Sequence, residues 1–433
     1  MVSRRVNDLL AQAREPEALD IPLSLVEDLI FRLLYREGTA DIPRFVSVLG
    51  LYSRMLDKIL TRLKQQHLVE VCHAGALGSI SYAYRLTNAG GQRAGQALAR
   101  SNYLGRVPVS LKMYNQAIRL QTGRIRPLLP PQIQQALRHL ILPDGFHRRI
   151  GPAINHSTSL FLYGPPGNGK TTIAQAIGQL VTGHDPIWLP DALTVGGQII
   201  QLYDPMVHEP IQAHESAFGS DLVSQQHQLN IDGRWRLVKR PFVTVGGELT
   251  MDALDLRYDR TAMIYEAPLQ LKANGGLFLL DDFGRQRITP AELLNRWIVP
   301  LESGVDFLRL QSGQTVEVPF TQLIVFSTNL DPTQLVDEAF LRRIQIKVAV
   351  SSPSEQQFHK IFKLACETYN VPYDANSFVH LMQKWYRGTQ RRLQAVHPRD
   401  ILKTAVAICK YDTSPVRLTP TLIDEACRSY FVS

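Results

Sequence analysis

The stretch from Ser159 to Thr172 constrains this chain more than any other. Leu160 to Tyr163 is an apolar run that reads as a buried strand. Gly164, Pro165, Pro166, Gly167, Asn168, Gly169, Lys170 and Thr171 follow, with the spacing G-x-x-x-x-G-K-[ST]. Thr172 then opens a helical pattern that runs to Val181. A strand, a glycine loop and a helix in this order make a cradle for phosphate. The glycines let backbone N–H groups turn inward, and the helix N-terminus adds partial positive charge. Lys170 is placed to reach the β- and γ-phosphates of ATP, and the Thr171 hydroxyl to ligate Mg²⁺.

At 433 residues, two or three domains are expected, each with its own core. The four cysteines (Cys72, Cys366, Cys409 and Cys427) are far apart and form no C-x-x-C, so they read as reduced, mostly buried thiols of a cytoplasmic protein. A twin arginine, Arg4 and Arg5, precedes Ala11 and Ala13 without an apolar segment between them, which argues against a signal peptide. No run approaches the length of a membrane span, so no membrane insertion is expected. The net charge of +8 is unevenly placed. Residues 1–130 hold 18 Lys and Arg against 10 Asp and Glu, whereas 131–433 hold 29 of each. A basic front end on a neutral body points to a polyanion, most plausibly nucleic acid, or to a basic solvated face.

In the front end, Ser24 and Glu27 have capping-box spacing, and Val26, Leu29, Ile30, Leu33 and Leu34 form an apolar stripe that Gly38 ends. Asp41 caps a short second helix that closes at Gly50. Ser53 caps a third, to about Gln66, with Arg54, Lys58, Thr61, Arg62 and Gln65 on its outer face. Strands near 68–73 and 80–86 flank the loop from Ala74 to Gly78, and Thr87 caps another helix. This order resembles a winged helix-turn-helix domain over residues 22–100, and Tyr84 to Gly90 is similar to the wing exit of bacterial regulators. The resemblance implies that the third helix enters the major groove of double-stranded DNA. Arg54, Lys58, Arg62 and Gln65 would then contact the groove, with Arg85 and Lys64 nearer phosphates. Winged helices also serve as docking modules for proteins.

Residues 106–130 read as a linker, followed by a helix over 132–142. The segment 186–270 is longer than a strand–helix–strand step needs and reads as an insertion. It carries a strand-like stretch, 196–203, and a hairpin over 228–240 turning at Asp232 and Gly233. Arg234, Trp235, Arg236, Lys239 and Arg240 mix an aromatic with cations, a composition suited to gripping nucleic acid or a peptide, or to a plain surface hairpin. His208 and His214 lack metal-ligand spacing with any carboxylates.

An apolar strand from Gly275 ends in Asp281 and Asp282. Asp281 would hold Mg²⁺, and Asp282 would orient and deprotonate the attacking water. Asn329 follows a second apolar strand, Arg342 and Arg343 end a short helix, and Arg399 lies in the first turn of another. These motifs in this order make residues 131–433 resemble an AAA+ ATPase. The resemblance implies that Asn329 is sensor 1, that Arg343 (or Arg342) is the arginine finger, and that Arg399 is sensor 2. It also puts Ile150 and Gly151 near the adenine. The helix 289–302 and a hairpin turning at Ser312 and Gly313 resemble the pre-sensor-1 branch of MoxR proteins, magnesium-chelatase subunits and sigma-54 activators. The Gly-Ala-Phe-Thr-Gly-Ala loop of the sigma-54 activators is absent. The family's usual Asp-Glu pair is Asp281-Asp282 here, one methylene shorter, which implies slower turnover.

The expected fold is therefore α/β: a winged helix-turn-helix domain (1–105), an AAA+ core with a parallel sheet (131–350) and a helical lid (351–433). The expected function is ATP hydrolysis by a homo-oligomeric ring, which the resemblance makes a hexamer, that remodels a nucleic-acid or nucleoprotein target. A chaperone that assembles a protein complex, with an unknown protein partner, and a transcriptional regulator switched by ATP are the alternatives.

Overall fold

The structure, a computed structural model, describes residues 2–73, 82–123, 127–143, 145–156, 159–211, 231–335 and 338–431. The chain falls into two units. One comprises Met1–Pro127, Val181–Phe278 and Glu292–Leu323; the other comprises Leu128–Leu180, Leu279–Ala291 and Ile324–Ser433.

The second unit is built on the strand Ser159–Tyr163, whose first four residues are buried. Leu323–Thr328 and Ile346–Ala349 pair with it in parallel on either side. A strand covered on both faces must be apolar throughout, which is why its sequence shows a continuous run rather than alternation. Phe161, Phe283 and Phe326 form a ring cluster with centroids 5.1–6.0 Å apart. Burying each such ring contributes about 1.5–3 kcal/mol. The helix Lys170–Thr182 leaves the glycine loop. Toward the C-terminus come Glu355–Thr368, Ala375–His380 continuing as a wider π-helix over Leu381–Arg387, His397–Tyr411 and Pro420–Tyr430. They share a core of Phe358, Phe362, Leu381, Ile401, Ile423 and Cys427. The segment 351–433 is thus helical, as its sequence leads one to expect, and Ser354 and Gln357 form a reciprocal cap at the start of its first helix. The helix expected at 132–142 is Pro130–Ala136; Pro130 suits a first turn and starts it earlier.

The first unit opens with a helix, Val2–Leu9, and continues with helices Leu23–Glu37, Ile42–Leu49, Ser53–Gln65 and Asn88–Arg100. A three-stranded sheet orders Thr39–Asp41, Ala83–Leu86 and Val69–His73. Asp41 accepts from Arg44 N–H at 2.9 Å, and Thr87 from Gly90 N–H at 3.0 Å, as expected of caps. Two expected caps are not caps. The first helix already starts at Leu23 after Pro22, and the third starts at Ser53 itself after Tyr52, so Ser24 and Ser53 lie inside their helices. The loop from Ala74 to Gly78 and His214 lie outside the described residues.

Residues 106–130 contribute a strand, Val109–Ser110, and a helix, Leu111–Thr122. That strand joins a five-stranded sheet with Ala192–Val195, Gln198–Gln201, Ile264–Glu266 and Arg257–Asp259. Of the stretch read as a strand over 196–203, Gln198–Gln201 form one, and Gly196 and Gly197 turn it back on Ala192–Val195. The expected hairpin over 228–240 falls partly on residues 228–230, which lie outside the described residues. Trp235–Val238 pairs antiparallel with Ile187–Pro190. The Asp232 carboxylate accepts from Arg234 Nη2 at 2.7 Å and from Arg234 N–H at 3.0 Å, a local turn of its own. The insertion shares one core with the N-terminal helices, because Val26, Phe45, Leu56 and Leu63 cluster with Ala192, Ile199 and Ile264. The backbones meet where Gly50 faces Gly233; a Cβ on Gly50 would lie 2.6 Å from Gly233 O. Glycine at both positions is what permits that approach.

The predicted pre-sensor hairpin is present as Val305–Arg309 paired with Thr315–Pro319, after the helix Pro290–Ser303. All four cysteines are free; Cys72 is exposed and the others are buried. Among the described residues no helix is long and apolar enough to cross a membrane.

Candidate active site

The strand Ser159–Tyr163 delivers the chain to Gly164, and three glycines of the loop (Gly164, Gly167 and Gly169) take positive φ. Lys170 is 6% exposed, and its Nζ donates to Gly164 O at 2.9 Å and Pro165 O at 2.8 Å. Burial pulls its pKa down, while the carboxylates of Asp282 and Asp281 oppose that. The ammonium thus sits inside the loop, within the field of both carboxylates. Pro166 and Thr172 are exposed, whereas Asn168 is buried.

Thr171 Oγ1 donates to Asp281 Oδ1 at 3.0 Å, so the two predicted metal-holding oxygens meet. Asn329 Nδ2 donates to Asp282 Oδ1 at 3.2 Å, which joins the predicted sensor to the predicted base. Asp282 has φ +50, a left-handed conformation that aspartate tolerates better than most residues. Several contacts hold it there. Its own N–H donates to Asp281 Oδ1 at 3.1 Å, and the next N–H, of Phe283, donates to Ser327 O at 2.7 Å. Thr328 Oγ1 donates to Phe283 O at 2.7 Å. Gln286 Nε2 donates to Asp281 O at 2.9 Å, while its Oε1 accepts from Gly284 N–H at 2.8 Å. Sequence reasoning missed Thr328 and Gln286. Thr328 adjoins Asn329 and was open to notice; Gln286 sits in a loop with no motif to mark it.

These strands, loop and helices make an α/β fold in which parallel strands carry a glycine loop at their end. A family model described as a domain of unknown function (DUF8689) matches residues 354–429. The chain is 40% identical over 53 residues to a vesicle-fusing ATPase of Dictyostelium discoideum, a match covering 12% of this chain and 7% of that protein. The same identity and length hold against the vesicular-fusion protein sec18 of Schizosaccharomyces pombe, where 6% of the relative is covered. Among solved structures, NtrX from Brucella abortus in complex with ATP is 13% identical, with a TM-score of 0.39 over 79% of this chain and 60% of that one. A RuvB mutant from Thermotoga maritima is 12% identical, with a TM-score of 0.39 over 68% of this chain and 71% of that one.

The other predicted residues are spread over both units. Arg399 is in the first turn of His397–Tyr411, exposed, with Nε donating to Asp400 Oδ1 at 2.9 Å. Arg342 is exposed and Arg343 half-buried beyond the short helix Glu338–Leu341. Ile150 is fully buried in the helix Phe146–His156, and a Cβ on Gly151 would touch Ile133 Cδ1 at 3.4 Å. Both positions therefore face packed interior.

In the first unit, Arg54, Lys58, Arg62 and Gln65 are all exposed on Ser53–Gln65, as their spacing predicts. Lys58 Nζ, however, is 2.6 Å from Glu15 Oε1, and Arg85 Nε is 2.6 Å from Glu70 Oε1. The cations singled out in the segment 186–270 are taken up by partners within the chain. Arg234 (2% exposed), Trp235 (0%) and Arg240 (4%) are interior. Arg234 is bracketed by Asp20 at 2.7 Å and Asp232, Arg236 pairs with Asp191, and Lys239 pairs with Glu209. A guanidinium that far from water requires such partners. His208 is likewise structural: Nδ1 accepts from Asp204 N–H at 2.9 Å, and Nε2 lies 2.8 Å from Lys272 O.

Proposed function

We propose that this chain is an ATP-hydrolysing AAA+ ring protein that remodels a nucleic-acid or nucleoprotein target, with residues 22–100 contacting double-stranded DNA. The observation that carries the hydrolytic part is the convergence of Thr171 with Asp281 and of Asn329 with Asp282 beside a buried Lys170. Lys170 binds the terminal phosphates. Asp282 takes the proton of the attacking water, and the Asn329 amide holds that carboxylate in place.

The site suits Mg²⁺. The Thr171 hydroxyl and the Asp281 carboxylate are hard oxygen donors 3.0 Å apart, and Mg²⁺ characteristically takes one or two carboxylates and completes its shell with phosphate and water. When bound, the ion neutralises charge on the phosphates. Arg343 or Arg342 reaches the nucleotide of a neighbouring subunit, and Arg399 that of its own. A ring, hexameric by resemblance, follows from the first of these roles.

The DNA part is supported by the outward cations of Ser53–Gln65 and by the helix–strand–helix–helix–hairpin order of residues 23–86. Steady-state ATPase rate with and without duplex DNA, beside gel-filtration mass with ATP, tests the reading. Hydrolysis, ATP-dependent assembly and a steep loss of DNA affinity with salt are expected. DNA affinity that is weak and insensitive to salt overturns the DNA part.

A second reading is a MoxR-like assembly chaperone in which residues 22–100 dock a protein. The ion pairs that occupy Lys58 and Arg85 favour it, because they leave fewer free cations for phosphates. On that reading, the Arg54→Ala, Lys58→Ala, Arg62→Ala triple variant keeps full activity and one protein partner co-purifies.

A further inference from the structure

The phosphate loop is held by more than its own glycines. Just before the helix His397–Tyr411, the strap Gln394, Ala395 and Val396 lies against it. Val396 N–H donates to Gly167 O at 2.8 Å, and Ala395 N–H donates to Asn168 Oδ1 at 3.2 Å. A Cβ on Gly167 would lie 2.6 Å from Gln394 Oε1 and 2.9 Å from Val396 Cγ1. Gly167 is therefore required twice over, for its φ of +74 and for the strap that passes it.

Backbone donors ahead of a helix need acceptors, and Val396 supplies no side-chain cap of its own. The acceptors come from the loop. Asn168 is 6% exposed, and its Nδ2 is 3.5 Å from both Pro165 O and Ser352 Oγ, so its amide faces protein on each side. On the far side of the strap His397 is buried, with Nδ1 at 2.9 Å from Tyr386 Oη. The rings of Phe431 and Tyr430 stand edge-on to it at 5.2 and 5.7 Å. The start of this helix is thus gripped between the loop and an aromatic cluster. Arg399 comes two residues later, and the Asp400 carboxylate that holds it also accepts from Tyr430 Oη at 3.2 Å.

We propose that Asn168 is a positioning residue that clips the strap 394–396 onto the phosphate loop and so fixes where the helix bearing Arg399 begins. The loop and the helical lid then respond to a bound phosphate as one hydrogen-bonded body. The part that concerns Arg399 rests on the functional reading above; the clip itself does not.

The test uses the full chain, with amide hydrogen exchange at residues 395–397, 399 and 400 and ATP hydrolysis as separate readouts. In Asn168→Ala, exchange at those amides rises roughly tenfold, and hydrolysis falls about tenfold. In the Arg399→Ala background the same substitution slows hydrolysis no further, a non-additivity that general loosening would not produce. Val396→Pro removes the other donor at a φ of −76 that already suits proline and gives the same pattern, which guards against a folding failure of the first variant. Unchanged exchange in both variants overturns the clip. Losses that multiply with Arg399→Ala overturn the positioning role and place Asn168 at the phosphate itself. If the unsubstituted protein hydrolyses no ATP, the functional reading fails while the exchange arm still decides the clip.

Discussion

Two charged regions of this molecule were readable in the sequence, and they behave in opposite ways. Around the phosphate loop, residues singled out by motif find one another: Thr171 meets Asp281, and Asn329 meets Asp282. On the basic front end and in the segment 186–270, residues singled out by charge meet partners that motif and composition did not suggest. Lys58 takes Glu15, Arg85 takes Glu70, and the cations of the insertion turn inward to Asp20, Asp191 and Asp232. A motif encodes backbone geometry as well as side-chain type, so it specifies where its residues end up. A charge count specifies only that counter-charges must be found, and a folded chain supplies many of them itself.

The sharpest test of the contrast is at Lys170. Lys170→Ala is expected to lower ATP hydrolysis by about a thousandfold, because a buried ammonium inside the loop cannot be replaced by solvent. Asp282→Asn should cost about a hundredfold in kcat with nucleotide affinity retained. If biological function disappears with hydrolysis in Asp282→Asn, a role for ATP as a mere switch loses its basis. The contrast breaks if the Arg54, Lys58 and Arg62 triple variant slows basal hydrolysis as much as Lys170→Ala does.

The inward-turned cations come next. Asp232→Ala leaves the Arg234 guanidinium, 2% exposed, with Asp20 as its remaining carboxylate partner. Removing one partner of a buried ion pair costs about 3–5 kcal/mol, to be read from the urea midpoint at constant m-value. Should Arg236→Ala instead leave stability intact and abolish binding of nucleic acid or peptide, the insertion is a gripping surface after all.

Acid sharpens the account of the lid. Burial first, and the Arg391 guanidinium second, press the His397 pKa down to about 4, with Asp400 opposing. The folded value lies below the ordinary 6.5, so the unfolded chain binds more protons between these two pH values. The stability due to neutral His397 is complete above pH 6.5 and is lost as pH falls toward 4, by roughly 3 kcal/mol at most. Thermal melting across that range should show the loss, and His397→Gln should flatten it. A pH-independent melting temperature in the unsubstituted protein would mean that the imidazole is not held neutral beside Tyr386.

Much of the core was legible, for reasons that can be named. The strand Ser159–Tyr163, the hairpin turning at Gly313 and the four lid helices each carried a local signal: an apolar run, a turn glycine, a cap with 3.6-residue spacing. What failed was long-range. That Trp235–Val238 pairs with Ile187–Pro190 depends on a partner some fifty residues away that no local pattern names. Gln286 and Thr328 escaped because they bond to backbone, and backbone acceptors leave no trace in a sequence. Even Gly167 was only half understood from its motif, since the strap pressed against it comes from more than two hundred residues further on.

The smallest expected effect decides what the front end is for. The Lys58–Glu15 pair is half-exposed on both sides, so freeing Lys58 changes little by itself. If Ser53–Gln65 lies on phosphates, Glu15→Gln should raise duplex-DNA affinity at low salt by at most about fivefold and steepen the salt dependence by about one counterion. Lys58→Ala should make that dependence shallower by the same amount. Both effects should fade at high salt, because an exposed charge is screened within about 10 Å at 0.1 M. If neither variant moves the slope while the protein still binds DNA, the contact lies elsewhere on the basic face. If neither moves it because there is no slope, the outward cations of this helix are a solvated face or a dock for another protein, and composition alone had suggested the nucleic acid.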